Sequence, residues 1–179
     1  KLVELDAART VLHDLQLIGS RNGIGYGNIS LRVEGNRFLI SGSGTGSSRV
    51  LGEAGYSLVC AFSPEKNEVV SLGAVQASSE AMTHGAIYQA NPAVRCVIHV
   101  HSQEGFARLL RQGWAHTPQD AAYGTPELSR AVEALVKTDS CGVFVTAGHA
   151  EGLFAYGTTV QDALESLLRH NPKGQGNSK

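Results

Sequence analysis

The hydrophobic and polar positions of this chain follow two different periods, which predicts a protein built from both helices and strands. Near the start, apolar residues recur every three to four positions, so a helix is expected over residues 2–18 with Gly19 as its C-cap. The same period and its capping residues predict later helices over residues 78–89, 103–111, 125–137 and 158–168. Thr125, which is followed by Pro126, is the expected N-cap of the third of these helices, and Thr158 or Thr159 is the expected N-cap of the fourth. Runs rich in β-branched residues predict strands over residues 29–33, 37–41, 57–62, 68–71, 95–101, 142–146 and 153–156.

The order of these elements favours one α/β domain. Hairpin-like strands come first, and alternating helices and strands follow them. A mixed sheet covered by helices fits this order best. We therefore expect a single domain over residues 1–170 and a polar tail over residues 171–179 that is disordered.

The composition and charge of the chain argue against nucleic-acid binding and membrane association as general functions. The chain has 179 residues and a net charge of -1, which gives no indication of a general nucleic-acid or anionic-membrane binder. No apolar run approaches the roughly 20 residues that a membrane helix needs. Cys60, Cys96 and Cys141 are odd in number, widely spaced and placed in or beside apolar runs. Buried, reduced thiols in a cytoplasmic protein are the expectation.

Two histidines stand two residues apart in the predicted strand over residues 95–101. Residues i and i+2 of a strand point to the same face of a sheet, so His99 and His101 are expected to lie close enough to chelate one ion. Neutral imidazole is a common ligand for zinc and similar metals. Taken alone, the pair fits equally well a polar sheet face whose histidines are satisfied by hydrogen bonds.

A third histidine and a carboxylate extend this candidate site. His149 lies in a glycine-flanked turn between two predicted strands, and three protein ligands with an open position are typical of a catalytic metal. Glu80 could be a fourth ligand that leaves when substrate binds, or a general base, although the helix dipole alone favours a glutamate there. Ser78 is the expected N-cap of that helix. His84 follows Glu80 by one turn and is interpreted as a supporting or core residue.

Two glycine-rich loops predict a binding site for an anion. Gly27-Asn28-Ile29-Ser30 and Ser43-Gly44-Thr45-Gly46 offer polar side chains and backbone amides that can surround phosphate oxygens. Ser78 and Ser79 add hydroxyls at a helix N-terminus, which itself attracts anions. Neither loop matches a P-loop, because no Gly-Lys-Ser/Thr follows. Taken singly, each loop could simply be a turn.

These motifs occur in the order typical of one family. Gly27-Asn28-Ile29-Ser30 precedes Leu39-Ile40-Ser41 with Ser43-Gly44, and Ser78-Ser79-Glu80, His99-Val100-His101 and Gly148-His149 follow. In this order they resemble the class II aldolase/adducin family, and its fuculose-1-phosphate aldolase-like members in particular. The resemblance runs from about residue 5 to residue 168. It implies a three-layer α/β/α fold around a mixed, mostly antiparallel sheet.

The resemblance also implies roles for the matched residues. His99, His101 and His149 match zinc ligands, with manganese or cobalt as alternative metals, and Glu80 matches the acid/base carboxylate. The implied activity is that of an aldolase, which reversibly cleaves a small phosphorylated ketose through a metal-stabilised enediolate. The implied assembly is a homotetramer with no nucleic-acid or membrane partner. The positions that match the holders of the substrate phosphate are Asn28, Ser43, Gly44, Ser78 and Ser79.

Two stretches depart from the family pattern. Gly25 stands where the aldolases have a threonine, and residues 111–118 look too few to hold the loop that carries their proton-donating tyrosine. His116 and Tyr123 are the candidate replacements. Epimerisation, dehydration and decarboxylation use the same metal chemistry in this family and stay open as alternatives. The alternative of another class is a non-catalytic, adducin-like binding or scaffold domain, although a scaffold needs no three-histidine site.

Overall fold

The computed structural model describes residues 1–122 and 124–171, and these ranges contain both helices and strands. Tyr123 and residues 172–179 of the predicted tail lie outside the described residues. None of the described helices is both long and apolar enough to cross a membrane. The helices are α1 (Leu2–Asp14), α2 (Ala81–Ala90), α3 (Gln103–Arg111), α4 (Pro126–Val136) and α5 (Val160–His170). The strands are β1 (Gly19–Arg21), β2 (Ile24–Tyr26), β3 (Asn28–Glu34), β4 (Arg37–Ser41), β5 (Tyr56–Ser63), β6 (Glu68–Gly73), β7 (Cys96–His101), β8 (Gly142–Val145) and β9 (Gly152–Gly157).

Seven strands form the central sheet, in the order β6-β5-β4-β3-β7-β9-β8. Every neighbouring pair in this order is antiparallel, so the predicted α/β fold with a mostly antiparallel sheet is confirmed. Parallel pairing within the described ranges is limited to one isolated bridge, between His116 and Val145 at the end of β8. β3 and β7 lie side by side in the middle of the sheet, and their register places Asn28 directly opposite His99.

Two hydrophobic cores, one on each face of the sheet, complete three layers. On β7, Ile98 and Val100 point into the core that contains residues of α1, α3 and α5. Val97 points the other way, into the core that contains residues of α2 and α4. His99 and His101 follow Val97 at intervals of two, so both leave the face that α2 and α4 cover. Their ring centroids lie 5.0 Å apart, as the spacing predicts.

The first helix is shorter than predicted. It ends at Asp14, and Gly19 begins β1 instead of capping the helix. Gln16 adopts a positive φ of 57° and turns the chain back. The backbone amides of Leu17 and Ile18 both donate to the carbonyl of Leu12, which holds these two side chains in the core. Burial of two more apolar residues therefore outweighs continuation of the helical pattern.

The caps of the later helices are partly as predicted. Ser78 is not the N-cap of α2, because Glu80 occupies that position and the helix begins one residue later. The Ser78 hydroxyl instead accepts hydrogen bonds from Glu80 N at 3.3 Å and Asn28 Nδ2 at 2.9 Å. It therefore joins the start of α2 to β3. The predicted cap Thr125 is confirmed, and of the two candidates for α5 the cap is Thr159, since each of these side chains accepts a hydrogen bond from a backbone amide in the first turn.

The three cysteines are free thiols, as expected. The prediction that all of them are buried is wrong for two. Cys96 is buried in β7, but Cys60 is half-buried and Cys141 is exposed. Cys141 is exposed because it lies in the polar loop between α4 and β8, ahead of the apolar strand that its sequence neighbours predicted.

Candidate metal centre and substrate cavity

Three histidines from two parts of the sheet meet at one point. β7 carries His99 and His101, and the turn between β8 and β9 carries His149. One ligand nitrogen from each lies within 4.8 Å of the others. The ring of His149 lies 5.4 Å from that of His99 and 4.9 Å from that of His101, centroid to centroid. β7 pairs with β9, and this pairing brings the turn to the end of the histidine strand.

The surroundings of His99 fix its orientation and its tautomer. Its ring stacks on Phe154, the residue opposite it on β9, with the centroids 4.4 Å apart. Nδ1 lies 3.3 Å from the carbonyl oxygen of Leu153, to which it donates. Nε2 then carries the lone pair, and among the described residues this buried atom has no hydrogen-bond partner. A buried lone pair held in this way is what a metal ion requires of a histidine ligand.

Burial keeps two of the imidazoles neutral. Loss of solvent lowers the pKa of His99 to about 3, against a smaller opposing effect of Glu80. Burial also lowers the pKa of His101 to about 4, helped by the neighbouring His149. Metal ligands must be deprotonated, so both histidines are in the form that binds metal at neutral pH. The donor set therefore fits a zinc-like ion.

Glu80 is the carboxylate of the site. It immediately precedes α2 and is 3% exposed. Oε1 lies 3.2 Å from Nδ1 of His149 and 3.6 Å from Nε2 of His99, and Oε2 accepts a hydrogen bond from Thr83 Oγ1 at 2.8 Å. Burial raises the pKa of this carboxyl, but the two histidines and Thr83 together lower it below its ordinary value. Glu80 is thus a carboxylate at neutral pH, aimed at the histidines.

The nine residues to which the family resemblance assigns a role all line one cavity of about 320 Å³. The two glycine-rich loops and the start of α2 form one part of its wall, and the three histidines with Glu80 form another. Gly44 has a positive φ of 73° and open space where a Cβ would be, so its backbone is accessible from the cavity. Among the described residues, no arginine or lysine lines this cavity.

Two other histidines of the sequence analysis lie elsewhere. His84 is a core residue, as one interpretation held. Its Nδ1 lies 2.6 Å from the hydroxyl of Ser30, which also contacts the Tyr88 hydroxyl at 2.7 Å. Burial lowers the pKa of His84 to about 3. His116 is exposed and does not line the cavity, so it is badly placed to donate a proton there.

Sequence reasoning missed one wall of the cavity. The β1–β2 hairpin contributes Ile24 and Tyr26 to the lining, and the ring of Tyr26 lies 5.6 Å from that of His101. The missed signal is Asn22-Gly23, a two-residue turn in which both residues have positive φ. Asn-Gly is a strong indicator of a hairpin with a type I′ turn. The strands that it joins have only three residues each, too few to show alternation.

A family model and one curated protein match parts of the chain. The model described as "Class II Aldolase and Adducin N-terminal domain" matches residues 19–170. The 3-oxo-tetronate 4-phosphate decarboxylase of Haemophilus influenzae is 37% identical over 78 residues, which are 44% of this chain and 34% of that protein. The match therefore spans about a third of the length of this curated relative.

Solved structures of similar shape cover almost the whole chain. YgbL from Klebsiella pneumoniae, a candidate aldolase/epimerase/decarboxylase, superposes with a TM-score of 0.72 at 18% identity and covers 99% of this chain and 90% of its own. L-fuculose 1-phosphate aldolase from Glaciozyma antarctica PI12 gives a TM-score of 0.65 at 20% identity, over 96% of this chain and 69% of its own. At these identities the likeness shows the fold.

Proposed function

The chain belongs to the class II aldolase and adducin family, and from this premise we propose that it is a metal-dependent lyase that cleaves a carbon–carbon bond of a small phosphorylated hydroxy-ketone. Enzymes of the family are metal-dependent and act on sugar phosphates. The observation that carries the proposal is the single cavity that all nine matched residues line. The proposed metal ligands, acid/base carboxylate and phosphate holders therefore border one substrate-sized space.

We assign His99, His101 and His149 as the metal ligands. Zinc is the expected metal because of the three nitrogen donors, with manganese or cobalt as alternatives. When bound, the metal would supply Lewis-acid stabilisation of the negative charge that develops on substrate oxygens as an enediolate forms. The fixed tautomer of His99 and the neutral state of His101 prepare both side chains for this role.

Glu80 is the proposed acid/base. In the direction of synthesis, its carboxylate would take a proton from the carbon that becomes the nucleophile. In cleavage, the same carboxyl would first take a proton from solvent and then deliver it to that carbon. The hydrogen bond from Thr83 engages Oε2 and leaves Oε1 facing the histidines. Its depressed pKa keeps the base form available at neutral pH.

The phosphate would be held without an arginine or lysine side chain, since none lines the cavity among the described residues. Its proposed holders offer hydroxyls, one side-chain amide and backbone amides, a set that binds phosphate through directed hydrogen bonds. The bond from Asn28 Nδ2 to Ser78 Oγ already fixes two of them to each other. Anchoring the remote phosphate would orient the reacting carbons over the metal. The holders are Asn28, Ser43, Gly44, Ser78 and Ser79.

Retro-aldol cleavage is the first candidate reaction, and decarboxylation is the second. The 37% identity to a decarboxylase favours the second. A chemical reason does so too. Retro-aldol cleavage must remove a hydroxyl proton as the aldehyde forms, whereas carbon dioxide leaves without such a transfer. Because residues 111–118 are too few for the family's tyrosine loop, a reaction that needs one proton carrier fits this chain well.

Product analysis tests the proposal and separates the two reactions. Zinc-loaded protein is incubated with a panel of ketose 1-phosphates and, separately, with phosphorylated 3-oxo acids. Chelator-sensitive release of dihydroxyacetone phosphate identifies an aldolase, and chelator-sensitive release of carbon dioxide identifies a decarboxylase. Loss of water or a change of stereochemistry without carbon–carbon cleavage would refute the proposed cleavage of a carbon–carbon bond.

Metal content tests the alternative that the protein is a non-catalytic binding or scaffold domain. A binding or scaffold domain would be favoured if the purified protein holds no stoichiometric metal and if His99→Ala leaves its metal content unchanged.

Family members are commonly oligomeric, and we propose a cytoplasmic homotetramer with sites near subunit boundaries. A sedimentation profile that shows monomer alone would contradict this assembly.

A further inference from the structure

A second cavity adjoins the metal centre on the side of the β1–β2 hairpin. It measures about 280 Å³ and is lined by Arg21, Asn22, Ile24, Tyr26 and His101. The last three also line the main cavity, so the two spaces meet at His101. None of the proposed phosphate holders lines the second cavity. His101 of the metal centre is therefore common to both spaces, and the proposed phosphate holders line only the first.

Arg21 is the one arginine or lysine among the described residues that line the two cavities. Its Nη1 donates to Oε2 of Glu151 at 3.3 Å, and its Cζ lies 5.7 Å from the centroid of the Tyr26 ring. These contacts hold the guanidinium beside the cavity while its side chain remains 67% exposed. A guanidinium has five N–H donors, so an edge remains that can bind a carboxylate through two parallel hydrogen bonds.

The partner of Arg21 occupies an unfavourable backbone position. Glu151 has a φ of 66°, in the left-handed region that favours glycine. Glu151 belongs to the turn that carries His149. Because glycine adopts a positive φ without strain, a glycine at this position would form the same turn at lower cost. Non-glycine residues with a strained backbone cluster at functional sites, where the side chain has a role that glycine could not fill. Here the carboxylate of Glu151 pairs with Arg21, which lines the second cavity.

We infer that Arg21 binds a substrate carboxylate at the end opposite the phosphate, so that the site prefers phosphorylated sugar acids to neutral ketose phosphates. In a short sugar acid phosphate, the phosphate and carboxylate occupy the two ends, and the oxygens that bind a metal lie between them. In the same way, the phosphate holders line the main cavity alone, His101 lines both cavities, and Arg21 lines the second cavity alone. The inference rests on the proposed function, because the phosphate and metal sites must fix the rest of the substrate.

Two unreactive ligands of equal length test this role. 4-Phosphoerythronate ends in a carboxylate and erythritol 4-phosphate ends in a hydroxymethyl group, so they differ at the position assigned to Arg21. Their affinities for the zinc-loaded protein are measured by titration calorimetry. We expect the acid to bind more tightly and Arg21→Gln to weaken it about tenfold, as for a charge-assisted contact in partly exposed surroundings. Binding of the alcohol should not change.

Two further variants serve as controls. Arg21→Lys keeps the charge but loses the planar fork, so it should restore part of the preference for the acid. Arg130→Gln removes an exposed arginine that is paired with Glu127 on α4, outside both cavities, and should change neither affinity. Thermal unfolding of each variant shows whether the fold is retained.

The outcomes separate this inference from the function on which it rests. Equal affinity of the wild-type protein for the two ligands, or an equal loss of both in Arg21→Gln, would overturn the role of Arg21 and leave the phosphate and metal sites standing. Failure of the wild-type protein to bind either ligand would overturn the proposed phosphate and metal sites, and the inference with them.

Discussion

Oε1 of Glu80 lies 3.2 Å from Nδ1 of His149, although the two residues belong to distant segments of the chain. The contact joins the start of α2 to the turn between β8 and β9. It places the proposed base against a proposed metal ligand. Because the two groups are in contact, we expect a substitution of His149 to change the pKa of Glu80.

Removal of a ligand should remove the metal. We expect His99→Ala and His101→Ala to lower the affinity for zinc on the order of 100-fold or more, because two ligands hold a metal far less well than three. Metal content after dialysis, measured by mass spectrometry, is the readout. His116→Ala is the control, since His116 is exposed and outside the cavity. Unchanged zinc content in His99→Ala would refute the assigned ligands.

Replacement of Glu80 distinguishes its two candidate roles. If it carries the proton, Glu80→Gln should lower kcat by about 10²- to 10⁴-fold while stoichiometric zinc is retained. Loss of zinc in this variant would instead assign Glu80 as a ligand. Glu127→Gln, at an exposed carboxylate of an ion pair on α4, should leave both quantities unchanged.

The phosphate site can be probed with inorganic phosphate as a competitive ligand. Ser78 Oγ contacts Asn28 and the backbone amide of Glu80 at the edge of the cavity. Ser78→Ala should weaken phosphate binding about tenfold, because a hydrogen bond to a charged group is lost, and zinc content should stay constant. Ser140→Ala alters an exposed serine and should have no effect. Equal phosphate affinity in both variants would exclude Ser78 from the site.

Gly27 couples the backbone to the metal centre. It has a φ of 74°, and a Cβ there would lie 2.7 Å from Ile18 Cγ1 and 3.1 Å from the carbonyl oxygen of His99. Gly27→Ala should lower the free energy of unfolding by about 2–4 kcal/mol, from backbone strain and overpacking, and should weaken zinc binding. Gly35→Ala has a similar φ of 53° but open space around the Cβ, and should cost only about 1 kcal/mol. Equal unfolding free energies would show that the crowding at His99 has no effect.

His84 should make stability depend on pH. Its pKa is about 3 when folded, against 6.5 as the ordinary value, so between these values the unfolded chain binds the extra proton. Stability should therefore rise with pH over this window and fall as the pH drops below about 6.5, by up to about 1.4 kcal/mol per pH unit. Urea unfolding at pH 7 and pH 5 should show a smaller pH effect for His84→Gln than for the wild-type protein. His116→Gln should match the wild-type protein, and equal pH effects in all three would contradict the prediction.

The patterns that were read correctly depend on local geometry. The period of two in β7 placed His99 and His101 on one face, and a cap followed by a proline located the start of α4. The errors fall where tertiary contacts override local preference. α1 ends early because Leu17 and Ile18 join the core, and Ser78 leaves the capping position because its hydroxyl bonds to Asn28. The β1–β2 hairpin escaped detection because its strands are too short to show a period.

The sequence by itself determined the residue types of the site and their order, because ligand chemistry and the family's motif order are properties of the chain. Their meeting in one cavity was decided only by the tertiary structure, since β7 must pair with both β3 and β9 before Asn28 and His149 approach His99. The neutral state of His99 is likewise a result of folding, because burial and not residue type lowers its pKa. The contact between Arg21 and Glu151 has the same origin. It joins segments far apart in the chain, and no local pattern relates them.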